Sequence, residues 1–400
     1  MRIVEDKVIL ETETIFYENH CLWFTEMTSG DFYCYDLQKE EAALICENPE
    51  KRTQSRLYGD IVKQGDFFYL IPFWAERMYK ISTFDHSVTA IDLNLEGYAG
   101  TFQYGAVSSS LSAHVYQEKI YIIPVQAPIV IEYDCLSGEI VYFESWEQED
   151  CIKNVDELAV CRKTLLADHK IYIPYCKGNY VAIFDLKTKK TDLCMVGSEK
   201  CSYAAMCLAE NEFWLAPRKS GPLVCWNSTE NVVREYKEFK ADDSGFHDIL
   251  AVGRELILLP SESGTVLKMD MATGDMQELA CDDAEVGGMS CCRDHECVYL
   301  FSQQSGKLYL YHSAVQTVEK RYILAPGDVA DQFKKEQSFL YRAIHGEKNL
   351  NAELFCEDYR EAVNDFLHYV DQKKEEGGQK DQPDENGRRI WQEQTRISWR

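Results

Sequence analysis

Signatures of catalysis and cofactor binding are missing from this 400-residue sequence. It contains no G-x-S-x-G, no H-E-x-x-H, no phosphate-binding loop and no dinucleotide-binding fingerprint, so the enzyme classes that those motifs mark receive no support. None of its sixteen cysteines forms a C-x-x-C pair, and the ligand spacing of a structural zinc site is therefore absent. We predict a protein without a metal and without a cofactor.

Long apolar runs and positive charge are scarce as well. No stretch approaches the length of a membrane span, and the start, MRIVED, does not open the apolar core of a signal peptide. Free thiols without an export signal predict a cytoplasmic protein. Lys and Arg number 42 against 67 Asp and Glu, which gives a net charge of −25. Such a surface repels phosphate arrays, so we expect neither nucleic acid nor a membrane as partner.

The sequence does contain a repeated block of short apolar runs. In its clearest copy, residues 249–279, one run ends at Pro260, a Ser/Gly turn follows, and 265–270 alternates apolar and polar residues. Thr273 and Gly274 mark a second tight turn. We interpret the block as four antiparallel strands, the innermost the most apolar and the outermost the most polar, as in a propeller blade.

The landmark of the repeat is a residue that closes the second apolar run, usually proline. Proline lacks a backbone donor, so it suits the end of a strand. Successive copies of this closing slot stand 42 to 52 residues apart, which is about what one four-stranded blade needs. The sequence therefore predicts an all-β propeller of seven blades, with six as the alternative if a divergent terminal copy shares a blade. The slots are Glu26, Pro72, Pro124, Pro174, Pro217, Pro260 and Ser302.

The pattern Y-x-x-P, followed by Y-x-x-D-x-x-[ST]-G, resembles the bacterial β-propeller repeat proteins, the quinoprotein-like and kelch-like group. The resemblance covers 12–325 and implies the fold alone. The paired glycines of kelch blades and the recurring Trp-Asp of WD40 blades are both absent. No catalytic residue is carried over from any one family.

Outside the repeat, the periodicity changes from that of strands to that of helices. We divide the chain into a propeller (1–325), a helical segment (326–372) that packs on the propeller or on a partner, and a polar, disordered tail (373–400). Trp391 and Trp399 in the tail are interaction candidates. The helical stripes are Val329, Phe333, Leu340 and Ile344, then Phe355, Tyr359, Val363, Phe366 and Val370.

A binding site is predicted where the inner strands open at the channel mouth. Counting back twelve residues from each slot gives a row that is polar in most blades, with Ser112 and Ser290 among its members. Alternatively, these polar groups form hydrogen bonds with one another or with water in the channel. The turns after the second strands add a basic and aromatic group to the same mouth, Lys219 included. The predicted ligand-binding residues are Asp60, Trp74, Arg77, His114, Arg162, Tyr175, Lys177, Arg218, His247 and Asp248.

Two functions are compatible with these patterns. The absence of catalytic motifs favours a non-catalytic binding or scaffold propeller that recognises a protein partner or a small acidic ligand. Arginine, lysine and aromatic side chains suit carboxylates and phosphates. The alternative is an enzyme, a lyase, epimerase or hydrolase, that acts on a small acidic or sugar-like substrate at the channel mouth. In that alternative His114, His247, Asp248, Asp60 and Arg162 would carry out the chemistry, although no catalytic motif assigns their individual roles. The sequence leaves the oligomeric state open.

Overall fold

A computed structural model describes residues 1–4, 7–50, 56–93, 110–125, 129–144, 163–240, 245–261, 264–281, 289–303 and 305–344. The chain divides into two compact units, Met1–Pro326 and Gly327–Arg400. The first unit is a ring of seven four-stranded antiparallel blades. The seven-bladed prediction is confirmed and the six-bladed alternative is wrong, because both divergent terminal copies build complete blades of their own.

Each blade comes from one continuous segment with its strands in chain order, and the first strands of most neighbouring blades contact one another around the centre. An N-terminal hairpin contains β1 (Arg2–Val4) and β2 (Lys7–Ile9). Blades one to three contain β3 (Thr12–Glu18), β4 (Cys21–Glu26), β5 (Phe32–Asp36), β6 (Glu41–Cys46), β7 (Tyr58–Gln64), β8 (Phe67–Pro72), β9 (Met78–Ser82), β10 (Val88–Ile91), β11 (Ser110–Tyr116), β12 (Lys119–Pro124), β13 (Ile129–Asp134) and β14 (Ile140–Glu144). Blades four and five contain β15 (Leu165–Ala167), β16 (Lys170–Pro174), β17 (Tyr180–Asp185), β18 (Lys190–Met195), β19 (Tyr203–Ala209), β20 (Glu212–Pro217), β21 (Gly221–Asn227) and β22 (Val232–Phe239). Blades six and seven contain β23 (Phe246–Val252), β24 (Glu255–Pro260), β25 (Leu267–Asp270), β26 (Met276–Glu278), β27 (Met289–Arg293), β28 (Cys297–Ser302), β29 (Lys307–His312) and β30 (Thr317–Tyr322).

Burial within a blade peaks at the second strand. In β8, β12, β20 and β24 every residue after the first is buried, whereas the inner strand β7 alternates buried with half-buried residues. The second strand has a neighbour on both edges and packs against blades on both faces, while the inner strand borders the channel. The expectation that the innermost strand is the most apolar therefore does not hold for β7. The outer strands, such as β10, are the most exposed.

The ring closes without an exchanged strand. The N-terminal segment Val8–Leu10 pairs with the segment that follows the last blade. Ile9 bridges Leu324, and the Leu10 amide donates to the Ile323 carbonyl at 2.9 Å. Side chains of blades one and seven, among them Phe24 and Phe301, share one buried cluster. Apolar packing therefore provides most of the closure.

The second unit begins with α1 (Gly327–Ile344), and its Asp328 lies in the first turn, where a carboxylate favours the helix dipole. This confirms the predicted change from strands to a helix after Pro326. The predicted second helix and the tail lie outside the described residues. No helix among the described residues is long and apolar enough to cross a membrane.

Candidate functional site

A β-bulge recurs near the start of the inner strands. In blade two Tyr58 pairs with Pro72, yet the next pair is Asp60 with Ile71, so one residue on the inner strand has no counterpart. Blade six repeats this around Asp248. Blades one, three and five have the same irregularity. A bulge twists the strand and redirects the side chains beside it, which gives the residue twelve before each slot a common setting.

These residues form a hydrogen-bond girdle around the ring, in which each member contacts the inner strand of the next blade. The girdle is absent at Ala205, which has no polar side chain, and Arg162 of blade four lies outside the described residues. Its contacts are Thr14 Oγ1 to the Tyr58 carbonyl (3.3 Å), the Ala113 amide to Asp60 Oδ2 (2.9 Å), Ser112 Oγ with Thr164 Oγ1 (2.8 Å), Cys291 Sγ to Asp248 Oδ2 (3.3 Å) and Ser290 Oγ to the Thr12 carbonyl (3.3 Å).

Lys163 is the cation that the structure places towards Asp60 and Asp248. Burial lowers the pKa of this ammonium, but the two carboxylates outweigh burial and raise the pKa above its ordinary value. Burial raises the pKa of Asp60, and Lys163 opposes that shift. No carboxylate among the described residues lies within 4 Å of Lys163, so the three charges interact without a direct ion pair. Sequence counting selected the neighbouring Arg162 and missed Lys163, because a fixed offset cannot resolve one residue where the blade is irregular.

The two histidines of the prediction have separate settings. His114 Nε2 contacts Thr164 Oγ1 at 2.7 Å, beside the Ser112 contact of the girdle. His247 Nδ1 donates to the Pro260 carbonyl at 2.8 Å. The neighbouring Asp248 accepts from the Ile249 amide and from Cys291, so its carboxylate does not orient the His247 ring. Among the described residues, no group of three or more His, Cys, Asp or Glu side chains is arranged to hold a metal.

The fold should lose stability between pH 7 and pH 5 through His114. Burial, with a smaller effect from Lys163, lowers the pKa of His114 to about 4. A base with a depressed folded-state pKa stabilises the fold above its unfolded pKa of about 6.5, and that stabilisation is lost as the pH falls towards the folded value. We expect His114→Gln to remove about 1–2 kcal/mol of this pH dependence. The melting temperatures of wild type and His114→Gln, measured from pH 7 to pH 5, test this prediction. The control is His295→Gln, which changes an exposed histidine. Parallel curves of melting temperature against pH for wild type and His114→Gln would contradict the prediction.

A basic pocket lies at the mouth between blades four and five. It is an open surface pocket of about 350 Å³ formed by the turn after β16, the connector before β19 and the turn after β20. Among the described residues that line it, Glu199 is the one acidic residue, and Lys200 lies 3.8 Å from Glu238. Among the described residues, no carboxylate lies within 4 Å of the other three cations. The residues that line the pocket include Lys177, Gly178, Lys200, Ser202, Arg218 and Lys219.

The backbone around the pocket is tightly packed. The Arg218 amide donates to the Ser202 carbonyl at 3.0 Å. A methyl group added at Gly245 would stand 1.6 Å from the Arg218 carbonyl oxygen, so this turn lies directly against the start of blade six. Gly221 has φ +120°, a conformation that favours glycine. The pocket therefore has a tightly packed backbone that carries its cationic side chains.

The remaining predicted residues lie on other parts of the mouth face. Tyr175 is buried. Trp74 packs edge-on against Phe73, and the Arg77 amide donates to Glu50 Oε1 at 3.0 Å in the turn of blade two. The structure therefore brings Lys177 and Arg218 together, brings Asp60 and Asp248 towards Lys163, and leaves Trp74 and Arg77 apart from the basic pocket.

Comparison with known proteins gives a fold and no family. No family model and no curated protein sequence matches the chain. A virginiamycin B lyase from Staphylococcus aureus superposes with a TM-score of 0.56 at 9% identity, over 74% of this chain and 95% of that one. A streptogramin B lyase gives 0.54 at 12% identity, over 80% and 95%. The computationally designed protein Ika8 gives 0.52 at 9% identity, over 79% and 88%. The chain shares its fold with bacterial β-propellers, and the likeness extends no further.

Proposed function

We propose that the protein is a binding propeller that captures a small anionic ligand in the basic pocket. The observation that carries the proposal is the convergence of Lys177, Lys200, Arg218 and Lys219 on one cavity of a chain whose net charge is −25. Three turns from two blades supply these cations, so the tertiary structure collects them. Guanidinium and ammonium groups bind carboxylates and phosphates, and Arg218 can do so through two parallel hydrogen bonds.

The girdle supports binding rather than catalysis at the channel. Asp60, Ser112 and Asp248 each contact the next blade, and such contacts stabilise the ring. Those side chains are then committed to structure. The cytoplasmic location predicted from the sequence is part of the proposal; the thirteen described cysteines are all free thiols, as a reducing compartment would keep them.

Binding of anions should depend on Arg218 and Lys219. In titration calorimetry we expect at least one of inorganic phosphate, citrate, glucose 6-phosphate and galacturonate to bind, and to raise the melting temperature. The double variant Arg218→Ala/Lys219→Ala should weaken that binding by about tenfold or more, since each lost charge-assisted contact is worth roughly 1.5–3 kcal/mol. Higher salt should weaken it too.

The matched control is Lys187→Ala/Lys190→Ala, which removes the same charge from exposed positions of blade four away from the pocket. It should bind the same anion as wild type does. If no anion binds, or if both double variants lose affinity equally, the pocket is not the site.

The alternative function is an enzyme for a small acidic or sugar-like substrate at the channel mouth. The charge interaction of Lys163 with Asp60 and Asp248 is the observation that favours it. Incubation of the same sugar acids with the protein, followed by NMR for new signals, tests for turnover. Turnover that is abolished in Lys163→Ala and kept in Arg218→Ala/Lys219→Ala would replace the binding proposal with the enzyme.

A further inference from the structure

We infer that the turns between the third and fourth strands of blades two and three form a docking surface for a basic, apolar peptide segment of a partner protein. This blade 2–3 turn surface comprises Thr83–Ser87, Cys135–Glu139 and the neighbouring first turns at Asp66 and Glu118. The basic pocket is formed by the turns at the opposite strand ends, so the two sites are separate. The surface combines exposed apolar tips with carboxylates that have no cation within 4 Å among the described residues.

The apolar tips are Phe84 and Leu136, which are 92% and 80% exposed. They hold the same position in their turns. Ser82 Oγ accepts from the Phe84 amide at 3.2 Å, and Asp134 Oδ1 accepts from the Leu136 amide at 3.0 Å. A partner therefore finds both side chains on rigid turns and loses little conformational entropy by ordering them.

The tips are specific to these two blades. The other five blades place a polar side chain or alanine at the same position. Val315 of blade seven is 65% exposed one position later, without an apolar neighbour in the adjoining blade one turn. Single exposed apolar residues are ordinary on protein surfaces, whereas a pair on adjacent blades offers two anchors to one segment. The equivalent residues are Gln38, Lys187, Thr229, Ala272 and Ala314.

Charge complementarity determines which occupant fits. Asp66, Asp85, Glu118 and Glu139 are exposed around the tips, and no cation among the described residues lies within 4 Å of their carboxylates. Gln64 Nε2 donates to Glu118 Oε2 at 2.7 Å and so joins the two blades at this surface. Hydrogen bonds from Ser82 and Ser87 lower the pKa of Asp85 to about 2, so it stays ionised. An acidic rim around apolar anchors attracts Lys- or Arg-rich segments and repels a second acidic copy of this chain.

A labelled peptide tests the surface directly. We expect the full chain to bind a fluorescein-labelled peptide of six Lys-Leu repeats, measured by fluorescence anisotropy, about tenfold or more tightly than peptides of six Lys-Ser or six Glu-Leu repeats. Phe84→Ser/Leu136→Ser should weaken the Lys-Leu complex by about tenfold or more. Both side chains are exposed, so the melting temperature of this variant should match that of wild type.

The matched control is Val315→Ser, which removes an exposed apolar residue from the equivalent turn of blade seven and should leave the affinity unchanged. Equal affinity of Phe84→Ser/Leu136→Ser and wild type, or an equal loss in Val315→Ser, would overturn the proposal. Sedimentation of the unliganded protein tests the other occupant. A dimer that forms in wild type and is lost in Phe84→Ser/Leu136→Ser would identify a second copy of the chain and would also overturn it.

Discussion

Replacing Lys119 and Lys189 together with alanine is expected to lower the free energy of unfolding by about 3–5 kcal/mol at pH 7. Both ammonium groups bind Glu132, which is 3% exposed on β13. Lys119 comes from the neighbouring strand of the same blade. Lys189 comes from blade four and also donates to Tyr121 Oη at 2.7 Å. Without them a carboxylate stays buried between two blades with no cation to neutralise it.

The pH dependence of the free energy of unfolding distinguishes an uncompensated charge on Glu132 from a simple loss of packing. Burial would raise the pKa of Glu132, but hydrogen bonds from Lys119, Lys189 and Tyr121 outweigh it and lower the pKa below its ordinary value. A carboxyl with a depressed folded-state pKa stabilises the fold above its unfolded pKa of about 4.3. In wild type that stabilisation is lost as the pH falls through the lower folded value. In the double variant the carboxyl gains stability by protonation, so the gap to wild type should narrow towards pH 4.

Chemical denaturation at pH 7 and at pH 4 measures both effects. The control Lys187→Ala/Lys190→Ala removes the same charge from exposed sites of blade four and should cost less than about 1 kcal/mol. Adding Glu132→Gln to the Lys119→Ala/Lys189→Ala variant should restore part of the stability at pH 7, because the buried charge is gone. Equal losses in the two double-lysine variants would contradict the role assigned to Glu132.

Gly245→Ala is expected to destabilise the protein by about 3 kcal/mol, although it adds a single methyl group. The new Cβ would lie 1.6 Å from the Arg218 carbonyl oxygen and 2.7 Å from the Lys219 amide nitrogen. These are backbone atoms, so no side chain can rotate away, and blades five and six must separate where they meet. Because Arg218 and Lys219 also line the basic pocket, the variant should lose anion affinity as well as stability.

Thermal unfolding of Gly245→Ala beside Gly327→Ala isolates the clash, since a Cβ at Gly327 meets nothing within 4 Å. The control should change the free energy of unfolding by less than about 0.5 kcal/mol. If Gly245→Ala were as stable as wild type and bound the anion with unchanged affinity, the turn at Arg218 and Lys219 would not lie as close to Gly245 as the structure places it.

The strands and the repeat period follow from local sequence. Residues closing the second strands, such as Pro72 and Pro260, lie at the end of a ladder where a missing amide costs nothing. Alternation and turn residues recur at one period, so the repeat was visible without a relative. The pairing of the N-terminal strand could not be predicted from the repeat, because Ile9 pairs with Leu324, which is more than 300 residues away in the chain. No local pattern contains that distance.

The polar row was found from sequence and its contacts were not. A count from the closing residue gave Asp60 and Asp248, because blades of similar length place equivalent residues alike. Whether those side chains face a ligand or the next blade depends on bulges and on the neighbouring inner strand. The choice between Arg162 and Lys163 depends on a single residue of register, which a repeat of variable length does not specify.

Sequence alone predicted a propeller of four-stranded blades with a helix after Pro326, since propensity, turn residues and period act over a few residues, and the structure decided between seven and six blades. The tertiary structure decided which cations meet. Lys177, Lys200 and Arg218 come from separate turns, and only the packing of blade four against blade five brings them into one cavity. The same is true of Phe84 and Leu136, which are 52 residues apart in the chain. Electrostatic and apolar recognition act through space, so a binding surface built from neighbouring blades exists only once the ring has formed.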